Sequence, residues 1–206
     1  MTFQTTWYET LLPDSMIDIM DKDLNDNYGH MMNESQVGTD RFTSKGVRDS
    51  AHAWIPTNYW ISGFLWHYIG RANRENFLYD ITQIDCEHIQ YTRYNEGQFY
   101  GWHVDSGLHN WYKPEFVSSE SDGDRNKVKK DMDMVRKLSF SLQLSDHETY
   151  DGGNLVFRDE QGKRYIAPRK RGNIIIFDSR TPHCITKVTK GTRKSIVGWA
   201  IGPRWK

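Results

Sequence analysis

"ITQIDCEHIQYTRY" (residues 81–94) is where the hydropathy period of this chain changes, and the change decides the fold class. From Ile81 onward apolar and polar residues alternate with a period close to two. The same habit returns in "RKLSFSLQL" (136–144), "GGNLVF" (152–157), "GNIIIF" (172–177) and "TRKSIVGWAIG" (192–202), each bounded by glycine or polar turns. Upstream the period is helical. Residues 14–27 space Met16, Ile17, Met20 and Leu24 at helical intervals, and Thr57–Asn73 puts Ile61, Phe64, Leu65, Tyr68 and Ile69 on one broad face. Residues 29–53 read as loop. The expectation is a mainly β chain with N-terminal helices: a curled antiparallel sandwich or jelly roll over 81–206, with residues 1–80 as helical support.

A chain of 206 residues is read as one domain with a core of its own, without internal repeats. The 27 basic and 27 acidic residues cancel, so no global field draws it to nucleic acid or to an anionic membrane. Cys86 and Cys184 lie far apart and fit no metal-ribbon or redox spacing, which argues against a disulfide framework. The N-terminal "MTFQTTWYETLLPDSM" has neither a basic start nor a long apolar run, and no later stretch is apolar enough to span a bilayer. A reducing, cytoplasmic location without membrane partners is expected. Eight Trp and eleven Tyr exceed what core filling needs and suggest aromatic-lined pockets.

Chemistry concentrates in "QFYGWHVDSG" (98–107). Side chains two apart on a strand share a face, so His103 and Asp105 project into one cavity. His183, in "DSRTPHCITKV", follows the apolar "NIIIF" and can join them, because a jelly roll brings strands remote in sequence to one interior. Taken singly, such a histidine is more often a hydrogen-bonded structural residue. Two imidazoles and one carboxylate on one face of an octahedral ion form the arrangement that suits non-haem Fe(II) oxygenases, although the same ligands accept Mn(II), Co(II), Ni(II) or Zn(II). Arg193 and Ser195, again two apart, offer a guanidinium fork and a hydroxyl, a seat for a carboxylate. Cys184 is expected on the opposite side of its strand from His183. Residues 106–136, polar and charged in blocks, read either as a lid over the site or as a solvated insertion.

Together, "RYNEGQFYGWHVD" (93–105), "YDGGNLVF" (150–157), "GNIIIFDSRTPHCITKV" (172–188) and "GTRKSIVGWAIG" (191–202) resemble the Fe(II)- and 2-oxoglutarate-dependent dioxygenases, especially the prolyl 4-hydroxylase-like branch. The resemblance implies a double-stranded β-helix with Fe(II) on His103, Asp105 and His183. It implies 2-oxoglutarate with its far carboxylate on Arg193 and Ser195, O2 as oxidant and ascorbate as an accessory reductant. Tyr94 matches a family tyrosine that contacts the co-substrate, with Tyr100 a weaker candidate for that role; Trp102 and Trp199 are candidates for the pocket wall. Gly152 and Gly153 are expected to be structural, and Asp146, His147 and Glu148 to lie in a solvated connection.

The resemblance implies hydroxylation of an unactivated C–H, with a prolyl or other residue of a protein or peptide as target. A free amino acid is an alternative, and a non-catalytic cupin-like binding domain is another. Nucleic acid is disfavoured, since demethylases of the superfamily carry a second arginine where this chain has Trp199. The basic run "GKRYIAPRKRG" (162–172) is either a contact for an acidic partner or a charged hairpin edge.

Overall fold

The structure, a computed structural model, describes residues 7–35, 46–85, 88–106 and 134–205. Along the chain come β1 (Tyr8–Leu11), α1 (Asp14–Tyr28), β2 (Asn33–Glu34), β3 (Arg48–Asp49), β4 (Ala51–Pro56), α2 (Trp60–Ala72), β5 (Gln83–Ile84), β6 (His88–Tyr94), β7 (Phe99–His103) and β8 (Met134–Gln143). They are followed by β9 (Asp151–Gly152), β10 (Leu155–Arg158), β11 (Arg164–Ile166), β12 (Asn173–Asp178), β13 (His183–Ile185), β14 (Val188–Lys190) and β15 (Arg193–Pro203).

An eight-stranded sheet runs β1-β12-β8-β15-β6-β4-β2, with β5 attached to β15. It faces a five-stranded sheet, β11-β10-β13-β7-β3, and every pairing is antiparallel. This is the expected mainly β architecture with two helices, a double-stranded β-helix. No helix among the described residues is long and apolar enough to cross a membrane.

The two faces of the large sheet do different work. One buries Ile55, Ile89, Tyr91, Leu138, Phe140, Leu142, Ile174, Ile176, Ile196 and Ala200 against Ile17, Met20 and Leu24 of α1 and Ile61, Leu65 and Ile69 of α2. The helices' apolar stripes recur every three or four residues, and the strands supply every second residue, so the two periods mesh over one face. Gly198 sits on this face because a Cβ there would lie 2.6 Å from Phe140 Cζ. On the other face the same strands turn inward a different set. Ser139, Ser141 and Gln143 of β8 are buried there, as are Thr92 of β6 and Arg193 and Ser195 of β15. A smaller apolar cluster, with Tyr94, Leu155, Phe157, Ile175, Phe177 and Val188, fills part of the space between the sheets.

Several expectations need correction. Residues 29–53 are not wholly loop, since they contain β2, β3 and the start of β4. β2 and β3 are two residues each of polar sequence, and their partners β4 and β7 supply the extended conformation that their own side chains do not signal. Ahead of α1 the chain also forms β1, an edge strand on β12 that the periodicity does not announce. The second helix begins at Trp60, not Thr57, and past Ala72 continues as a π-helical turn over Asn73–Phe77. Of the segment 106–136 read as a lid or insertion, Met134 to Arg136 belong to β8, Ser106 adjoins the metal-binding candidates, and 107–133 lie outside the described residues.

Candidate metal centre

His103 ends β7 and His183 opens β13, and the two are direct cross-strand partners. Asp105 follows β7 by two residues; its backbone N–H and that of Ser106 both donate to the carbonyl of Ser179, at 2.9 and 3.0 Å. Those bonds bend the chain back over the start of the β12–β13 turn and bring the Asp105 carboxylate between the two rings. Its Oδ1 lies 3.6 Å from His103 Nε2 and its Oδ2 3.4 Å from His183 Nε2. One ligand atom from each residue falls within 4.8 Å of the others, and no other group of three such residues gathers among the described residues.

The tautomers follow from the hydrogen bonds. His103 Nδ1 lies 2.8 Å from Gly101 O and His183 Nδ1 2.9 Å from Thr181 O. A carbonyl has no proton to give, so both Nδ1 atoms carry the hydrogen and donate it, which leaves Nε2 to present a lone pair. Burial pushes His103 down to about 4, helped by His183 and opposed by Asp105 and the Gly101 carbonyl. Burial alone would raise the Asp105 carboxyl, but His183, His103, Arg136 and the Ser139 hydroxyl outweigh it and hold it below the usual carboxylate range. At neutral pH the site thus offers a carboxylate beside a neutral imidazole with its Nε2 bare. This donor set fits a hard-to-borderline divalent ion.

Packing fixes the ligands from behind. Tyr100 stacks on His103 at 3.7 Å between ring centroids, and Phe177 meets His183 edge-on at 4.8 Å. Ser139 Oγ–H donates to Asp105 Oδ2 at 2.7 Å, and its oxygen lies 2.9 Å from Ser179 Oγ. Neither Ser139 nor Ser179 is among the residues that the sequence singles out. The alternation of "LSFSLQL" does contain a signal, because polar residues at 139, 141 and 143 mark a strand whose second face is not core.

Deeper in the same interior stands Arg193, 2% exposed. Its Nη1–H donates to Ser195 Oγ at 3.2 Å, and its guanidinium carbon lies 5.6 Å from the centre of the Tyr94 ring, on the directly opposite residue of β6. Among the described residues Arg193 makes no salt bridge, so a buried cation lacks its counter-ion, an arrangement that favours binding a carboxylate. The Arg193 stem is pinned by the "YDGG" turn. Gly153 packs where a Cβ would be 3.1 Å from Arg193 Cδ, and Gly152, at φ +72°, passes so near Lys187 O that a Cβ would lie 2.0 Å from it.

The remaining sequence candidates have the following surroundings. Asp146, His147 and Glu148 are exposed in a turn. Cys184 is a free, buried thiol beside His183. Trp199 lies under the guanidinium of Arg136 at 3.7 Å, and Trp102 under those of Arg158 and Arg164 at 4.8 and 5.6 Å. The basic run is partly turned inward. Arg169 donates to Tyr150 O, and Arg171 donates to Leu144 O and pairs with Asp18.

Comparison with known proteins adds a family to this geometry. Residues 89–201, more than half of the chain, match the model of the 2OG-Fe(II) oxygenase superfamily. The PKHD-type hydroxylase YbiX of Escherichia coli O1:K1 is 29% identical over 109 residues, 53% of this chain and 40% of that protein. The PKHD-type hydroxylase IL0759 of Idiomarina loihiensis is 29% identical over 111 residues, 54% and 40% of the two chains. The matches thus span less than half the length of these curated relatives. Among solved structures, a Pseudomonas putida prolyl-4-hydroxylase superposes with a TM-score of 0.67 at 18% identity, covering 96% of this chain and 92% of its own. A Trichoplax adhaerens prolyl hydroxylase, solved with a hypoxia inducible factor peptide, gives 0.72 at 16%, covering 97% and 84%. At such identities these two likenesses show the fold.

Proposed function

The chain belongs to the 2OG-Fe(II) oxygenase superfamily, and from that premise we propose that it is a 2-oxoglutarate-dependent hydroxylase of a protein or peptide, with a prolyl residue as the leading target. The observation that carries the reading is the coincidence, inside one barrel, of three convergent metal-ligand candidates with a buried arginine that has no acidic partner among the described residues.

In this reading His103, Asp105 and His183 hold Fe(II), and Arg193 with Ser195 holds the far carboxylate of 2-oxoglutarate. When bound, iron supplies the oxygen chemistry, in which 2-oxoglutarate is decarboxylated to succinate and the substrate C–H is hydroxylated. The protein's own part is positional. The Gly101 and Thr181 carbonyls keep both imidazoles in the tautomer that exposes Nε2. Ser139 keeps the carboxylate turned towards them. The Tyr94 ring and the "YDGG" turn confine the Arg193 guanidinium, so that the co-substrate meets a fixed fork instead of a mobile side chain.

A peptide target is supported by the prolyl hydroxylases of like fold, one of them solved with a peptide. The partial withdrawal of the basic run into internal hydrogen bonds weighs against nucleic acid. A reducing, cytoplasmic setting agrees with the free thiol of Cys184.

The test does not require the true substrate. Purified protein with Fe(II), 2-oxoglutarate and air should form succinate slowly, His183→Ala should abolish the product, and Arg193→Ala should demand far more 2-oxoglutarate. An iron-loaded wild-type chain that neither binds 2-oxoglutarate nor makes succinate would sink the proposal in favour of a non-catalytic binding domain.

A further inference from the structure

Resting on the assignment of Arg193 and Ser195 as a carboxylate seat, we infer that Thr92 is a third member of that seat, its hydroxyl donating to the distal carboxylate of the 2-oxo acid. Thr92 is the direct cross-strand partner of Ser195, β6 against β15. Alternation along β6 sets its direction. Tyr91 packs into the helix-side core, whereas Tyr94, two residues beyond Thr92, belongs to the interior cluster beneath Arg193. Thr92 therefore faces inward with Arg193 and Ser195.

The hydroxyl of Thr92 is unpartnered among the described residues. The residue is 0% exposed and its Oγ1 meets no hydrogen-bond partner among them. A buried hydroxyl without a partner carries its full desolvation cost, which a ligand oxygen arriving beside Ser195 would offset. Its neighbours in the same row are committed elsewhere. On β4, His52 faces Thr92 across the ladder, and its Nδ1 is 2.8 Å from Ser35 Oγ. On the far side of Ser195, Gln143 of β8 donates its amide to the Tyr150 hydroxyl at 2.9 Å and to Ser145 O at 3.3 Å.

The donor count also matches. A carboxylate offers about four acceptor positions. Arg193 can fill two with its fork. Ser195 Oγ accepts from Arg193 and so keeps its own O–H to give. Thr92 brings another O–H from the adjacent strand, a direction from which neither Arg193 nor Ser195 arrives. The predicted consequence is selectivity for 2-oxo acids that end in a carboxylate, beyond what the guanidinium alone provides.

The test is calorimetric titration of the full chain, loaded with Mn(II) under argon, comparing wild type with the near-isosteric Thr92→Val. Two probes are titrated: 2-oxoglutarate, and 2-oxobutyrate, which has the same keto-acid end and no distal carboxylate. The expected result is a Kd for 2-oxoglutarate about tenfold higher in the variant, with Mn(II) and 2-oxobutyrate affinities unchanged. The metal-free variant should melt no lower than wild type, since it loses only a hydroxyl without a partner. Thr92→Ser, which keeps the hydroxyl, should retain wild-type affinity, and with Thr92→Ala it preserves the comparison if valine packs badly. An unchanged Kd for 2-oxoglutarate, or equal weakening of both acids, overturns the role of Thr92 while leaving the carboxylate seat standing. A wild-type protein that binds Mn(II) and neither acid overturns both.

Discussion

Replacing Ser139 with alanine should weaken metal binding without touching a ligand. Its hydroxyl makes a 2.7 Å hydrogen bond to Asp105 Oδ2, the oxygen that lies 3.4 Å from His183 Nε2, while Oδ1 points towards His103. The bond therefore settles the rotation of the carboxylate about its own axis, and with it which oxygen faces each imidazole. Ser139→Ala leaves a free-swinging carboxylate and also strips Ser179 Oγ of its 2.9 Å neighbour. A supporting hydrogen bond to a metal-binding carboxylate is typically worth about 10- to 100-fold in affinity, or about 1.4 to 2.7 kcal/mol at the usual tenfold equivalence. Burial of Asp105 favours the upper half of that range, because water cannot readily replace the lost donor. The assay is Mn(II) titration followed by the signal of the free ion, with far-UV circular dichroism as the control for folding. A Kd within twofold of wild type in a folded variant would refute the idea that Ser139 orients the site.

Two further outcomes test the scaffold around it. His52 is pushed down to about 4 by burial, with Arg48 adding to the effect, so the folded protein resists a proton that the unfolded chain accepts near 6.5. Its contribution is present above pH 6.5 and is lost as pH falls towards 4, at most about 3 kcal/mol at about 1.4 kcal/mol per pH interval of one. Urea midpoints measured between pH 7 and 4.5 should fall less steeply in His52→Gln than in wild type, and parallel slopes would contradict the account. Gly152→Ala meets both a left-handed backbone and a Cβ position 2.0 Å from Lys187 O. It should cost about 2 kcal/mol or more and raise the KM for 2-oxoglutarate through the displaced Arg193 stem; a variant as stable as wild type would show that the turn relaxes freely.

Much of the architecture was legible because amphipathic period survives in sequence. Ile17, Met20 and Leu24, or Ile61, Leu65 and Ile69, advertise a helix packed on something flat, and the alternation after Ile81 advertises what that surface is. The two-residue strands Asn33–Glu34 and Arg48–Asp49 were opaque for the opposite reason. Two residues are too few to write a pattern, and their conformation is borrowed from β4 and β7. The candidate site divides in the same way. His103, Asp105 and His183 could be named together because their chemistry is scarce and their spacing obeys strand geometry. Thr92, Ser139 and Ser179 are common residues, and nothing local distinguishes them from any other polar residue of a strand or turn. Their importance arises from whom they face across the ladder, which depends on registers between strands tens of residues apart.

As far as Ala200 the central strand β15 serves two masters by alternation: Ile196, Gly198 and Ala200 look to the helices, while Arg193 and Ser195 look into the barrel. A slip of one residue against β6 or β8 would therefore drive a guanidinium into the oily layer and turn isoleucine into the barrel interior in a single stroke. A single register error would therefore cost the helix-side packing and the placement of the buried arginine together.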